Sequence, residues 1–558
     1  MRRTLLIVAI LAVSACSPAA PKGPVPVAQF PDLNTTAVLN DIKKLSSDEF
    51  EGRLPGTKGE QLTVAYLIDQ FKAAGLQPGN PDGSWTQKVP LVGLNPEFSG
   101  PLVVKKGGTS HTFKVHDEFV PFSKQVTGSV TLDNSEIVFV GYGVQAPEYH
   151  WDDYKGLDVK GKTIVMLVND PPVPDPANPS TLDAKVFGGN AMTYYGRWTY
   201  KYEKAAELGA AAAIIVHETD RAGYPFKVVQ GFGGERFDLV TPDKNMSRAK
   251  IESWMSVEAA TALLKLAGQN YQALKTRAAS RDFKPVPLGM TASFSLKQTM
   301  RTVDSQNVIA KFPGAGATLK NEYVVFSAHW DHLGVGEPKN GDKIYNGAAD
   351  NASGTATMLE IARQMKNVRP PPERSILFLA VTAEEQGLLG SQFYGQFPLY
   401  PLNKTVADIN LDDNLPMFGR TKDIIVIGLG ASDLDDYLRA AANEQGRVLV
   451  PDAEPEKGFY YRSDHFNFAK AGVPALDTDD GLQYVGKPAD FGKAKKDEYT
   501  ANDYHSPSDD VKTDWDLSGL AEQGKLLMAV GVRVAQVDKI PEWKAGNEFR
   551  AVREKSIK

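Results

Sequence analysis

The chain has 558 residues, more than one hydrophobic core usually serves, so more than one domain is expected. Its composition is that of a soluble protein, and 62 basic against 68 acidic residues leave a net charge of −6, which excludes an electrostatic case for a nucleic-acid partner. Cys16 is the single cysteine, which rules out an intrachain disulfide.

In chain order, residues 1–15 pair Arg2 and Arg3 with an apolar run over residues 5–13, an export signal too short to cross a bilayer. Val13-Ser14-Ala15-Cys16 resembles the lipobox of bacterial lipoproteins, which implies cleavage before Cys16 and lipid on its thiol. Ser17 after the cysteine fits the periplasmic side of the outer membrane. The lipid is then the expected membrane contact, since no later stretch is long and apolar enough to span one. Residues 16–34 read as a proline-rich tether.

Folded sequence is expected from residue 35. A turn at Pro55-Gly56 precedes apolar residues at helical spacing, which predicts a helix from Lys58 to Ala74 closed by Gly75. Between residues 129 and 294 the texture changes. EIVFVGYG and KTIVMLVND read as strands, and YKYEKAAELGAAAAIIVHE as a helix feeding a strand. This block resembles the protease-associated domain, an inserted β-rich α+β unit. Residues 35–128 are assigned to the first part of the host domain, 295–538 to its second part and 539–558 to a charged tail.

The second part is α/β. NVIAKF, YVVFSA, RSILFLAVT, DIIVIG and VPALDT are short runs rich in β-branched residues that alternate with helical patterns. In the first of those helices Met358, Ile361, Ala362 and Met365 share a face. Open sheets of this kind bind ligands beyond the carboxyl ends of their strands. Those ends carry SAHWDHLG, NGAADNASG, TAEEQGLLGS and NLDDN, and a late loop adds DYHSPSDD. A set of two His, two Asp and one Glu suits zinc, and five ligands with a shared carboxylate serve two ions better than one.

These five ordered motifs resemble the co-catalytic di-zinc exopeptidases, which include bacterial leucyl aminopeptidase and have glutamate carboxypeptidase II, transferrin receptor and glutaminyl cyclase as relatives. The resemblance runs from about residue 45 to residue 537, with DEFEGRLPGTKGE at its start. It implies a mixed, mostly parallel sheet sandwiched by helices. It also implies an aminopeptidase that cuts the N-terminal bond of peptides with a water bridging two Zn²⁺, or Co²⁺ or Mn²⁺. Asp350 would bridge the ions, His329 and Asp412 would complete one site, and Glu385 and His505 the other. Glu384 would be the general base, Asp331 would orient a ligand histidine, and Tyr504 would hydrogen-bond the oxyanion. Arg462, in an Arg-Ser-Asp-His stretch, would meet a substrate carboxylate or carbonyl.

Tyr460, Tyr461 and Phe466 are candidates for an apolar side-chain pocket, while His332 and Asp413, beside ligands in sequence, read as loop residues. Asp413 stands where an apolar residue is common in the family, which leaves substrate preference open. A carboxypeptidase or dipeptidase of the same fold would call for an arginine cluster, and near the motifs the sequence offers Arg462 and Arg420 alone. A receptor-like binding protein would have lost its ligands, whereas all five are kept. Oligomeric state has no signature in the sequence.

Overall fold

The computed structural model describes residues 23–230, 235–412 and 416–557. Among them no helix is long and apolar enough to cross a membrane. The first helices are α1 (Thr35–Leu45) and α2 (Lys58–Ala74). The second has the predicted bounds: Gly75 stops it in the left-handed region (φ 86°), with the Gly75 and Leu76 N–H groups donating to Lys72 O and Phe71 O. Strand β1 (Thr86–Phe98) then leads into the inserted region, whose helix α3 (Trp198–Glu207) borders the rest of the molecule.

A 27-residue strand, β2 (Val286–Phe312), joins the two regions. Its first half pairs with the Ser129–Phe139 strand and its last residues enter a second, α/β sheet region. Leu102, Val104, Phe113 and Phe119 share one hydrophobic cluster with Ile137, Val165, Ile214 and Leu263, because the Leu102–Lys106 strand pairs with Thr291–Ser293 of β2. The expected boundary at residue 129 is therefore too late: the inserted core takes residues from Leu102 onward, and β2 runs uninterrupted through the expected boundary at 294/295.

The strands that follow in this sheet are β3 (Tyr323–His329), β4 (Ser375–Val381), β5 (Thr405–Asn410), β6 (Asp423–Ile427), β7 (Val448–Pro451) and β8 (Ala475–Asp480). The spatial order is β2-β4-β3-β5-β8-β6-β7, antiparallel at β2/β4 and β8/β6 and parallel elsewhere. This is the expected mixed, mostly parallel α/β sheet. Side chains alternate along β4, with Ile376, Phe378 and Ala380 in the cluster on one face and Leu377, Leu379 and Val381 in that on the other. Helices α4 (Gly354–Gln364) and α5 (Ser518–Gln536) cover the first face, where Met358, Ile361, Ala362 and Met365 are all buried.

Both expected extensions pack against this domain. Val25, Val27, Phe30 and Leu33 join the main core, and buried Arg533 donates to Val25 O, so residues 25–33 are not free tether. The charged tail likewise buries Trp543 and Phe549, and Trp543 Nε1 donates to Gly472 O. In both cases a few apolar side chains outweigh a polar or proline-rich composition.

Candidate metal centre

Strands β4, β3 and β5 are adjacent and parallel, so their carboxyl ends open onto one crevice. His329 closes β3, Glu384 and Glu385 follow β4, and Asp412 follows β5. Asp350 comes from the turn Ala348–Ser353 at the head of α4, and His505 from the loop after the Phe491–Asn502 helix. His329 Nε2 lies 3.2 Å from Asp350 Oδ1 and 3.0 Å from Asp412 Oδ1. His505 Nε2 lies 3.3 Å from Asp350 Oδ2 and 3.0 Å from Glu385 Oε2. The two oxygens of Asp350 thus face two separate groups, each with a histidine and a second carboxylate.

His332 changes the expected picture. It lies in a loop as expected but is fully buried, and its Nδ1 stands 2.5 Å from Glu385 Oε1 and 3.9 Å from Asp350 Oδ2. His329, Asp350 and Asp412 form one three-residue group whose ligand atoms lie within 4.8 Å of one another, and His332, Asp350 and Glu385 form a second. The sequence signal was the second histidine of His-Trp-Asp-His, which sequence adjacency alone could not place. Asp413 lies outside the described residues.

Two further residues shape the centre. Arg53 is 1% exposed and donates to Trp330 O, Leu45 O, Asn346 O and Gly347 O, tying the segment after His329 to the one before Asp350. Burial pushes its guanidinium down to about 10, against the pull of Asp350 and Asp509. This is the physical content of the DEFEGR stretch. Asp509, which sequence reasoning missed, accepts from the backbone N–H groups of Ala349 and Asp350 and fixes the turn from the other side.

Asp331 lies under the centre. His329 Nδ1 is 3.2 Å from its backbone oxygen and 3.8 Å from its carboxylate, which accepts from the Glu384 N–H at 3.1 Å. Ala383 has φ 53°, and that reversal after β4 turns the two glutamates into the crevice. Burial raises the Glu384 carboxyl well above its ordinary range, opposed by His329. Burial also disfavours a charged Glu385, yet His505 and His332 hold it well below that range. For His505 burial is likewise outweighed: Glu385 and Asp350 push it up to about 11.

Asp331, Asp350, Glu384, Glu385 and Asp412 thus converge with three imidazoles as close countercharges, and Arg53 is engaged with backbone carbonyls. So many carboxylates at this spacing repel unless cations join them. Asp331 Oδ2 and His332 Nε2 are buried without a hydrogen-bond partner. A donor set of imidazole and carboxylate, buried and over-acidic, fits zinc.

At the rim, Tyr504 is 46% exposed and its ring stacks on His505 with centroids 3.9 Å apart. Arg462 is half-buried and donates to Lys457 O; the next residue, Ser463, donates to Asp412. Tyr460, Tyr461 and Phe466 pack with Tyr194 and Phe549 in the cluster beneath the sheet, and Tyr461 Oη donates to Glu548.

Residues 307–530 match the model of peptidase family M28. Among curated proteins, the chain is 28% identical over 243 residues to Aminopeptidase YwaD of Bacillus subtilis (40% of this chain, 49% of that protein). It is 33% identical over 131 residues to Aminopeptidase NAALADL1 of Mus musculus (23% and 16%). It is 32% identical over 185 residues to Leucine aminopeptidase 1 of Sclerotinia sclerotiorum (30% and 44%). The chain spans about half or less of the length of these relatives. Among solved structures, an aminopeptidase from Aneurinibacillus sp. strain AM-1 aligns with TM-score 0.47 and 20% identity over 92% of this chain and 97% of that one.

Proposed function

We propose that this chain is a zinc-dependent aminopeptidase that releases residues from peptide N-termini. The observation that carries the reading is the placement of Asp350 between His329 with Asp412 on one side and Glu385 with His332 and His505 on the other, at the ends of adjacent parallel strands. The match of residues 307–530 to peptidase family M28, and the aminopeptidase names of the relatives above, support it.

His329, Asp350 and Asp412 would hold one ion, and Asp350, Glu385 and His505 a second. When bound, the pair supplies Lewis acidity toward the scissile carbonyl and the attacking water. Glu384 takes the proton from that water and delivers it to the leaving amine; a carboxyl raised above its ordinary range by burial is suited to accepting it. Asp331 fixes His329 and the Glu384 backbone, and Tyr504 donates to the oxygen on which negative charge develops. Arg462 holds the substrate at the rim. His332, against the second oxygen of Glu385, sets the orientation of that carboxylate.

The inserted region is a protease-associated domain in this reading. Cys16, outside the described residues, carries the lipid that anchors the enzyme on the periplasmic side of the outer membrane. The test is hydrolysis of aminoacyl-p-nitroanilides by purified protein: turnover that chelator abolishes and zinc restores is expected, and chelator-resistant turnover or full activity in Glu384→Gln contradicts the mechanism.

A further inference from the structure

The chain enters its folded part at the end of the sheet opposite the metal centre. Gly23, Pro24 and Val25 line a groove of about 670 Å³ together with Pro370, Tyr437 and Val537. Pro370 stands five residues before Ser375, the first residue of β4, and its carbonyl accepts from Nε2 of Gln536, the last residue of α5, at 3.0 Å. The groove is therefore at the amino end of β4, whereas Glu384 and Glu385 follow its carboxyl end. The seven residues of that strand, at roughly 3.3 Å each, put about 20 Å between the two ends before any loop is counted.

Upstream of Gly23 the sequence sets a length. With the signal cut before Cys16, residues 16–22 alone separate the lipid from Gly23, and seven residues span at most about 25 Å. No slack comes from the next stretch, because Val25 and Val27 are in the main core and Arg533 donates to Val25 O at 3.0 and 2.6 Å. A compact chain of this size is roughly 60 Å across. With the crevice turned toward the membrane, Gly23 would stand most of that breadth away, beyond the reach of the tether.

The same face carries exposed cations. Lys320 lies just before β3, and Lys366 and Arg369 follow α4, which starts beside Asp350 and runs away from the metal centre. Among the described residues none of these three forms an ion pair. Lys404, just before β5, shares Glu322 with Arg374. Of the acids that line the groove, Asp436 is paired with Lys544, which leaves Glu373. Exposed cations close to a lipid anchor are drawn to anionic headgroups.

We propose that this face, the amino ends of β3, β4 and β5 around the Gly23 groove, rests on the bilayer that holds the Cys16 lipid. Its basic residues meet anionic phospholipid headgroups, and the crevice opens away from the membrane. The proposal rests on the lipid-anchor reading of Cys16 and deepens it: peptides reach the metal centre from the aqueous side, not along the membrane surface.

The test uses the full-length lipidated protein in vesicles of phosphatidylethanolamine and phosphatidylglycerol that carry a nitroxide on some headgroups. A fluorophore is attached in Glu373→Cys, beside the groove, or in Val335→Cys, on the exposed Gly334–Lys339 strand whose Lys339 donates to His505 O at 3.1 Å. The nitroxide is expected to remove most of the fluorescence of the Glu373→Cys probe and to leave that of the Val335→Cys probe unchanged. Equal quenching of the two, including none in either, or quenching of the Val335→Cys probe alone, overturns the orientation while the anchor stands. Flotation separates the failures: a chain that does not float with the vesicles has no lipid anchor, and the orientation falls with that reading. If either variant does not fold, Lys320→Cys and Lys343→Cys carry the same comparison.

Discussion

The two halves of the metal centre are built differently. His329 and Asp412 project from the ends of neighbouring strands, and their side chains are 1% and 12% exposed. His505 reaches the other half from a late loop, with a side chain 38% exposed, while His332 stands buried behind the same glutamate. The strand-borne half is held by the sheet, whereas the loop-borne half depends on a turn fixed by Asp509 and on a second histidine. Ligands carried by rigid elements are the more preorganised, so the two halves should differ in how much metal binding each residue commands.

The largest expected effect does not distinguish the halves, because Glu384 serves both. Glu384→Gln should lower kcat by about 10²- to 10⁴-fold, the range of general-base catalysis, with the metal content of the protein unchanged by elemental analysis. Next, His329→Ala should weaken zinc binding by more than about 100-fold, beyond the range for residues that merely support a ligand, and His505→Ala should weaken it less. Equal losses in chelator competition would erase the contrast. His332→Ala should reduce zinc affinity by about 10- to 100-fold if it acts by holding Glu385, and no change would return it to an ordinary buried histidine.

A smaller effect concerns stability under the strand-borne half. Burial pushes His465 down to about 4, with Asp412 opposing. Between its ordinary value of 6.5 and about 4 the unfolded chain binds a proton that the folded chain does not. Stability from this group is thus complete above pH 6.5 and is lost as pH falls through that window, with a slope of at most about 1.4 kcal/mol per pH unit. Denaturant unfolding of wild type and His465→Asn from pH 7 to pH 4 should show the slope in the first and its reduction in the second.

Legibility in the sequence followed the same division. Residues on or beside strand ends, such as His329, Glu384, Glu385 and Asp412, stood out only together, because the strand ends of an open α/β sheet converge on one crevice. Helix α2 was readable to its last residue from spacing and a closing glycine. His332 was not, because burial of a loop residue depends on Arg53 and Asp509, which come from segments 279 residues before and 177 after it. The packed segments at residues 25–33 and 539–557 misled because composition describes a free chain, whereas Val27, Trp543 and Phe549 find matching cavities in the fold.

Digestion of a defined peptide mixture, read by mass spectrometry, shows whether the protein makes a metal-dependent cut at the peptide N-terminus. Ladders shortened one residue at a time from the N-terminus, absent with chelator and restored by zinc, are expected. Ladders shortened from the C-terminus, or ladders unaffected by chelator, would contradict it.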